Sequence, residues 1–295
     1  MTTFKLRLRI IGLLALCLAL AACSAVKLSY NNLDEVAYWW LDGYLDFDTA
    51  QASRVRGDIA RLHLWHRETE LPRVEELLQG LERLAPGEVT AAQACDLFEQ
   101  ARKRLLAVAE RAEPAIVTLA LSLTPDQLQH LERRYARNNQ EYRREWLRLP
   151  PGERLDQRLE RIVERSERVY GRLEEPQLAV LRRQLAQSVF DPQRILAERQ
   201  RRQQDMLQTL RQLQAPGLEL AQARGLMRGY FERVQSSPDA AWRAHQEALT
   251  QEGCRSFAAG HNATTPAQRE TAVQRLRGWQ RDLRELARNG APARG

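Results

Sequence analysis

Apolar residues recur at intervals of three and four along most of the chain, and charged residues fill the positions between them. This spacing places apolar side chains on one face of an α-helix. Runs that alternate apolar β-branched residues with polar ones, which would predict strands, are absent. The pattern therefore predicts an all-α protein, an elongated bundle of long antiparallel amphipathic helices with no sheet. The stripe is clearest in Leu155, Leu159, Ile162, Val163, Val169, Tyr170 and Leu173.

Cap and turn signals divide the chain into ten predicted helices. In a capping box, the N-cap side chain and a first-turn glutamine each bond the other's backbone N–H. Four boxes are predicted at Asp48–Gln51, Thr90–Gln93, Thr124–Gln127 and Thr265–Gln268, and prolines at first helical positions at Pro125, Pro192, Pro238 and Pro266. The predicted helices are 33–43, 49–84, 91–122, 125–148, 153–171, 176–188, 192–213, 218–235, 238–258 and 266–288. Pro72 and Pro114 should kink or divide two of them.

The N-terminal residues resemble the signal of a bacterial lipoprotein. Basic residues precede an apolar run over 10–20, and Leu20-Ala21-Ala22-Cys23 matches a lipoprotein cleavage site. The apolar run is shorter than the ~20 residues that a bilayer span needs, so 1–22 is predicted to be a removable signal peptide. Cys23 would then carry the lipid, and Ser24 in place of Asp favours the outer membrane. We expect a lipid-anchored protein on the periplasmic face of the outer membrane.

The remaining chain is predicted to form one helical domain. Residues 23–32 would be the lipidated N-terminus and a short linker, with Asn31 and Asn32 capping the first helix. The helical domain would span 33–288, with a candidate subdivision at the proline-rich break 149–152, and 289–295 would be a disordered tail.

The charge balance argues against a nucleic-acid partner. Loss of Lys5, Arg7 and Arg9 with the signal lowers the formal net charge from +7 to +4. Arginine alternates with glutamate instead of clustering, which is typical of solvated helix faces and unlike a nucleic-acid groove. Binding of phosphate or lipopolysaccharide groups by guanidinium forks is the less favoured alternative.

Two cysteines remain once Cys17 leaves with the signal and Cys23 is lipidated. Cys95 and Cys254 would lie in an oxidising compartment, where disulfides persist. A disulfide between them is favoured over two free buried thiols, and neither has the neighbouring ligands that a metal site needs.

His63, His66 and Glu70 form the first candidate site. Residues three and four apart share a helix face, so these side chains could converge on one cation. The alternative, which we favour, is a buried polar network without a metal, and we expect no cofactor.

The segment 38–48 forms the second candidate site, with Trp39, Trp40, Asp42 and Asp46 as possible ligand-binding residues. Three interpretations stay open: a sugar-stacking or cation-binding surface, including the paired carboxylates of glycoside hydrolysis; aromatic packing on the bundle, with Asp46 and Asp48 as caps; or aromatic rings at a bilayer interface. If the first helix folds back, both candidate sites could face one groove.

Two family resemblances follow from these motifs. Three motifs resemble those of an uncharacterised family of helical proteobacterial lipoproteins: Tyr38-Trp-Trp-Leu-Asp-Gly-Tyr44, Asp46-Phe47 and Trp65-His-Arg-x-x-Glu-Leu-Pro72. Leu123-Thr-Pro-Asp-Gln127, echoed at Leu173-Glu-Glu-Pro-Gln177, resembles the Leu-Thr-x-x-Gln motif of periplasmic stress chaperones over 123 to about 213. The first resemblance implies a helical fold and a location in the bacterial envelope, and the second implies a chaperone-like role.

The sequence contains no nucleophile elbow and no glycine-rich phosphate loop. We therefore expect a non-enzymatic binding scaffold or chaperone-like factor of the envelope, with a protein or peptidoglycan partner. The alternative is a peptidoglycan- or glycan-acting hydrolase that uses the 42–70 region.

Overall fold

The protein is built from α-helices throughout the part of the chain that its computed structural model describes, residues 26–288, and no strand occurs there. The all-α prediction is confirmed. After the helical residues 26–31, eleven α-helices follow: α1 Leu33–Leu45, α2 Thr49–Trp65, α3 Leu71–Leu84, α4 Ala91–Ser122, α5 Pro125–Tyr142, α6 Pro151–Tyr170, α7 Glu175–Ala186, α8 Pro192–Leu213, α9 Leu220–Gln235, α10 Ala240–Asn262 and α11 Pro266–Arg288.

Prolines alter two of the predicted helix boundaries. Pro72 has no backbone N–H to donate to the carbonyl four residues before it. The backbone forms a π-helical turn over His66–Glu70, which divides the predicted helix 49–84 into α2 and α3. Pro114, in contrast, lies within a continuous α4. The placement of Pro238 at a first helical position is wrong, because the Asp239 side chain accepts from the N–H groups of Ala241 and Trp242 and caps α10 instead.

The described part of the segment expected to be a linker is helical. Residues 26–31 are helical, and Lys27 donates to Glu285 on α11 over 2.7 Å. Asn32 does not cap α1, because its side chain bonds the Leu28 carbonyl and the helical turns run on through it. The predicted signal, Cys23 and the tail 289–295 lie outside the described residues.

The 32-residue helix α4 connects two groups of helices. Around its C-terminal half pack α1, α2, α5, α8 and α9, with a core that includes Val117, Leu128, Leu210 and Met227. Around its N-terminal half pack α3, α6, α7, α10 and α11. The chain leaves the first group after α5 and returns to it for α8 and α9, so the break at 149–152 does not separate two sequential domains.

Glutamines of the capping boxes join one helix end to another. All four predicted boxes form. The Gln51 and Gln127 side chains are both buried and bond each other, with Nε2 to Oε1 distances of 3.1 and 2.6 Å. Gln51 also donates to the Ser122 carbonyl over 2.8 Å, and Gln127 to the Asp46 carbonyl over 2.9 Å. The ends of α1, α2, α4 and α5 therefore meet at one pair of amides.

Capping-box glutamines also bond distant carbonyls in the other group of helices. The Gln268 side chain donates to the Arg172 carbonyl over 2.8 Å, and Gln177 donates to the Ala263 carbonyl over 3.1 Å. Gln177 belongs to a box whose N-cap is Glu174, and Glu219–Gln222 forms another such box. Neither was predicted as a box, because glutamate is not among the preferred N-cap residues.

His261 on α10 links three elements. Its Nδ1 accepts from the Tyr170 hydroxyl on α6 over 2.9 Å, and its Nε2–H donates to the Gly87 carbonyl over the same distance. Both ring nitrogens are thus satisfied in the neutral imidazole. Burial is the main cause that lowers the pKa of His261, and burial also raises the pKa of Tyr170 to about 12.

Gln127→Ala should reduce the free energy of unfolding more than Gln93→Ala, which removes an exposed box glutamine. Loss of a box alone costs about 1 kcal/mol, whereas Gln127→Ala also leaves the buried amide of Gln51 without its partner and should cost roughly 2–4 kcal/mol. Urea unfolding of both variants measures the difference. Equal losses would show that the buried amide pair adds nothing to the cap.

His261 should make the fold weaker in mild acid. Its folded pKa lies below the unfolded value of about 6.5, so its contribution is present above about pH 6.5 and is lost as the pH falls toward the folded pKa. Urea unfolding at about pH 7.5 and about pH 5.5, which bracket the unfolded value, should show a smaller decrease for His261→Gln than for wild type. An unchanged decrease would contradict the assignment.

Candidate functional site

The three aspartates of the predicted acidic site build a turn. The chain reverses between α1 and α2, where Asp46 adopts a left-handed conformation with φ of 51°. The Asp42 side chain accepts from the Phe47 N–H over 3.0 Å, and Asp48 caps α2. Asp42 and Asp48 thus use their carboxylates on backbone N–H groups, and Asp46 supplies the conformation that closes the turn.

The histidine site lies at the opposite end of α2. The hydroxyl of Tyr30, in the first helical turns, is hydrogen-bonded to Nδ1 of His66 over 2.8 Å, and the Tyr30 ring centroid lies 4.8 Å from that of His63. Burial is the main cause that lowers the pKa of both histidines, and burial raises the pKa of Tyr30 to about 12. Glu70 is buried with an oxygen 3.6 Å from a guanidinium nitrogen of Arg104.

The two candidate sites do not form a common groove. The first helix does fold back on α2, but this places the aspartates at one end of the hairpin and the histidines at the other. At 1.5 Å per residue, Asp48 and His63 lie about 22 Å apart along the helix axis. Between residues 26 and 288, no three His, Cys, Asp or Glu side chains are grouped to hold a metal ion. His66 bonds Tyr30 and Glu70 lies near Arg104, whereas Nε2 of His63 and Oε2 of Glu70 are buried without a hydrogen-bond partner among the described residues.

The aromatic residues of α1 divide between the bundle and the surface. Tyr38 is buried, with the guanidinium of Arg56 on α2 3.5 Å from its ring centroid. Trp39 and Trp40, in contrast, are 62% and 61% exposed, and so is Val36, at 61%. Packing on the bundle therefore describes Tyr38 but not the tryptophans. We call Leu33, Val36, Trp39 and Trp40 the α1 face, since their spacing puts them on one side of the helix.

Cys95 near the start of α4 and Cys254 on α10 are joined in a disulfide. Their Cα atoms are 5.2 Å apart, within the usual range for the bond. Phe98 and Phe257, one turn further along each helix, stack edge to face with ring centroids 5.8 Å apart. The bond therefore links the N-terminal half of α4 to α10, within the group of helices that packs around that half.

Of the helices between residues 26 and 288, none is both long and apolar enough to cross a membrane.

An apolar cavity of about 570 Å³ lies in the group of helices around the N-terminal half of α4, between α3, α4, α6, α7, α10 and α11. Ile162 and Val169 of the α6 stripe line it, together with Leu181, Phe257 and Trp279. No residue of α6 is fully buried, although its apolar stripe is the clearest in the sequence. The periodicity of the sequence shows which side of α6 is apolar but not what that side contacts.

Comparison with known proteins assigns a family. The model of a protein family of unknown function, DUF6279, matches residues 43–229, which is more than half of the chain. No curated protein and no solved structure matches. The expected membership of an uncharacterised family is confirmed, while the resemblances to lipoproteins and to stress chaperones stay predictions. The chain belongs to this family of unknown function, DUF6279.

Proposed function

We propose that the protein is a lipid-anchored, non-enzymatic binding scaffold on the periplasmic face of the outer membrane, with the α1 face resting at the lipid headgroups. The observation that carries the proposal is the apolar α1 face, exposed within a few turns of the candidate lipidation site. The anchor itself is supported by the sequence Leu20-Ala21-Ala22-Cys23.

The position of the α1 face suits a surface close to the anchor. Only Ser24 and Ala25 separate Cys23 from Val26, the first residue that the structure describes. Even fully extended, this stretch spans about 10 Å. A lipid on Cys23 would therefore keep Val26 near the bilayer, and α1 begins about two helical turns beyond it.

The chemistry of the α1 face also suits lipid headgroups. Tryptophan combines a large apolar ring with a polar N–H and is enriched at membrane–water interfaces. Leu33, Val36 and Trp40 follow a spacing of three and four residues on one side of α1, as in helices that lie in the interface plane. Lys27 is held by Glu285 and Asp282, which fixes the first described helical turn against the end of α11.

Separation of the two candidate sites supports a scaffold over a hydrolase. The hydrolase alternative needs carboxylates free to act on a substrate, but those of Asp42 and Asp48 accept backbone hydrogen bonds at a turn. Glu70 and His66 face Arg104 and Tyr30 at the other end of α2. The arrangement offers no paired carboxylates in one cleft across the hairpin, which glycoside hydrolysis requires.

Cys23→Ser should abolish anchoring without unfolding the helical domain. The lipid would attach through the Cys23 thiol, whereas α1 to α11 all lie beyond that residue. Cell fractionation with a carbonate wash reads out the anchor, and circular dichroism reads out the fold. Cys17→Ser is the matched control and should stay anchored. Retention of the Cys23→Ser protein in carbonate-washed outer membranes would refute the lipoprotein assignment.

Loss of the tryptophans from the α1 face should weaken membrane contact that does not depend on the lipid. In the Cys23→Ser background, Trp39→Ser with Trp40→Ser should lower partitioning onto phosphatidylethanolamine–phosphatidylglycerol vesicles roughly tenfold, because two large rings leave the interface. Vesicle co-sedimentation measures the partitioning.

Leu105→Ser with Leu220→Ser is the control for this comparison, since both leucines are exposed, at 72% and 53%, on other helices. The control pair should partition like the parent protein. Equal losses in both double variants would contradict a specific role of the α1 face. Self-association that disappears with the tryptophans, in the absence of vesicle binding, would assign the face to a second copy of the chain.

A further inference from the structure

We propose that the cavity between α3, α4, α6, α7, α10 and α11 binds a single acyl chain that carries an anionic headgroup. The inference rests on the proposed role as a binding scaffold, but not on the lipid anchor. It assigns a ligand class to a site that the sequence motifs did not indicate.

The cavity has the size and the lining of a small-molecule site. Its volume of about 570 Å³ falls within the range of roughly 300–1,000 Å³ that ligand pockets occupy. Leucine, isoleucine, valine and aromatic side chains supply most of its wall. Many of these residues, among them Leu78, Ile162 and Trp279, are only partly buried, so the cavity opens to solvent and a ligand has a route in.

Small residues on α10 line one side of the cavity. Gly253, Ser256 and Gly260 recur at intervals of three and four and all line it. A Cβ atom at Gly260 would lie 3.4 Å from Leu181 of α7, and one at Gly253 would lie 3.7 Å from Phe98 of α4. Larger side chains on this side of α10 would therefore occupy space at the cavity wall.

Polar groups around the cavity are already engaged, which argues against a polar ligand. The Tyr170 hydroxyl bonds His261, and Gln177 bonds the Ala263 carbonyl and the Glu174 N–H. Ser256 bonds Gln184 over 3.4 Å. A sugar or nucleotide would have to break these bonds to gain its own, whereas an acyl chain needs only the apolar surface.

Arg165 supplies a positive charge where the cavity meets solvent. It lines the cavity from α6 and is exposed. Its neighbours along the helix, Arg161 and Arg168, pair with Glu145 and Glu164, but Arg165 has no ion-pair partner within the described part of the chain. A carboxylate or phosphate at the head of an acyl chain would find a guanidinium there to bond.

Quenching of tryptophan fluorescence by 9,10-dibromostearic acid tests the proposal on the Cys23→Ser protein, which needs no detergent. The acid should quench saturably below its micellar concentration. Trp279→Phe should remove most of the quenching while binding, followed by competition with a dansylated fatty acid, persists. Cell fractionation tests the anchor separately, so failure of the two proposals can be distinguished.

Cavity filling provides the decisive variant. Ser256→Leu should weaken binding of the acid at least about tenfold, because the added side chain displaces two or more methylenes of the ligand. Ser53→Leu, the same change at an exposed position of α2, should bind like the parent. Circular dichroism confirms that both variants are folded. Equal affinities of the two variants would overturn the proposal.

Changes of charge on the protein and on the ligand test the role of the headgroup. Arg165→Gln should weaken binding of the fatty acid and of a lysophosphatidic acid roughly two- to fivefold, and should leave a neutral monoacylglycerol unaffected. Comparison of the two anionic ligands identifies the source of the head. Equal effects on the neutral ligand would refute the role of Arg165, and binding of apolar peptides without acyl ligands would overturn the proposal in favour of a peptide site.

Discussion

Hydrogen bonds from buried capping-box glutamines are the interaction on which the helix arrangement depends. A glutamine at the third position of a helix ordinarily satisfies one backbone N–H of its own first turn. Here the amides of Gln51 and Gln127 also bond each other and two carbonyls at other helix ends. Because the two amides are buried, each would be costly to leave without a partner. The requirement fixes how four helix ends meet.

A disulfide adds to the capping-box glutamines in the other group of helices. Gln268 and Gln177 again bond distant carbonyls, and the Cys95–Cys254 disulfide joins α4 to α10. The glutamines hold the helices at their ends, whereas the C-terminal half of the α6 stripe, from Ile162 on, faces a cavity. Strong constraints at the ends therefore allow an unfilled interior between them. The same arrangement that stabilises the helix group leaves it a space for an apolar ligand.

The hairpin of α1 and α2 explains why the acidic and histidine motifs look closer in sequence than they are in space. A helix separates its two ends in proportion to its length, and α2 has 17 residues. Folding back brings Tyr30 to His66 and Tyr38 to Arg56, but it places Asp42 at the turn. Each motif therefore acquires its own local partners, and the exposed tryptophans remain as the candidate contact surface of the hairpin.

The sequence alone determined most of the helices, because the interactions that form them act between residues close in the chain. A periodicity of 3.6 residues, capping boxes and prolines all act within one or two helical turns. That is why the boxes at Asp48, Thr90, Thr124 and Thr265 were all predicted correctly. Only the tertiary structure decided which apolar faces meet. The α6 stripe and the α1 face are both apolar in sequence, yet one lines a cavity and the other faces outward. Contacts between residues far apart in the chain set that outcome, and no local pattern encodes them.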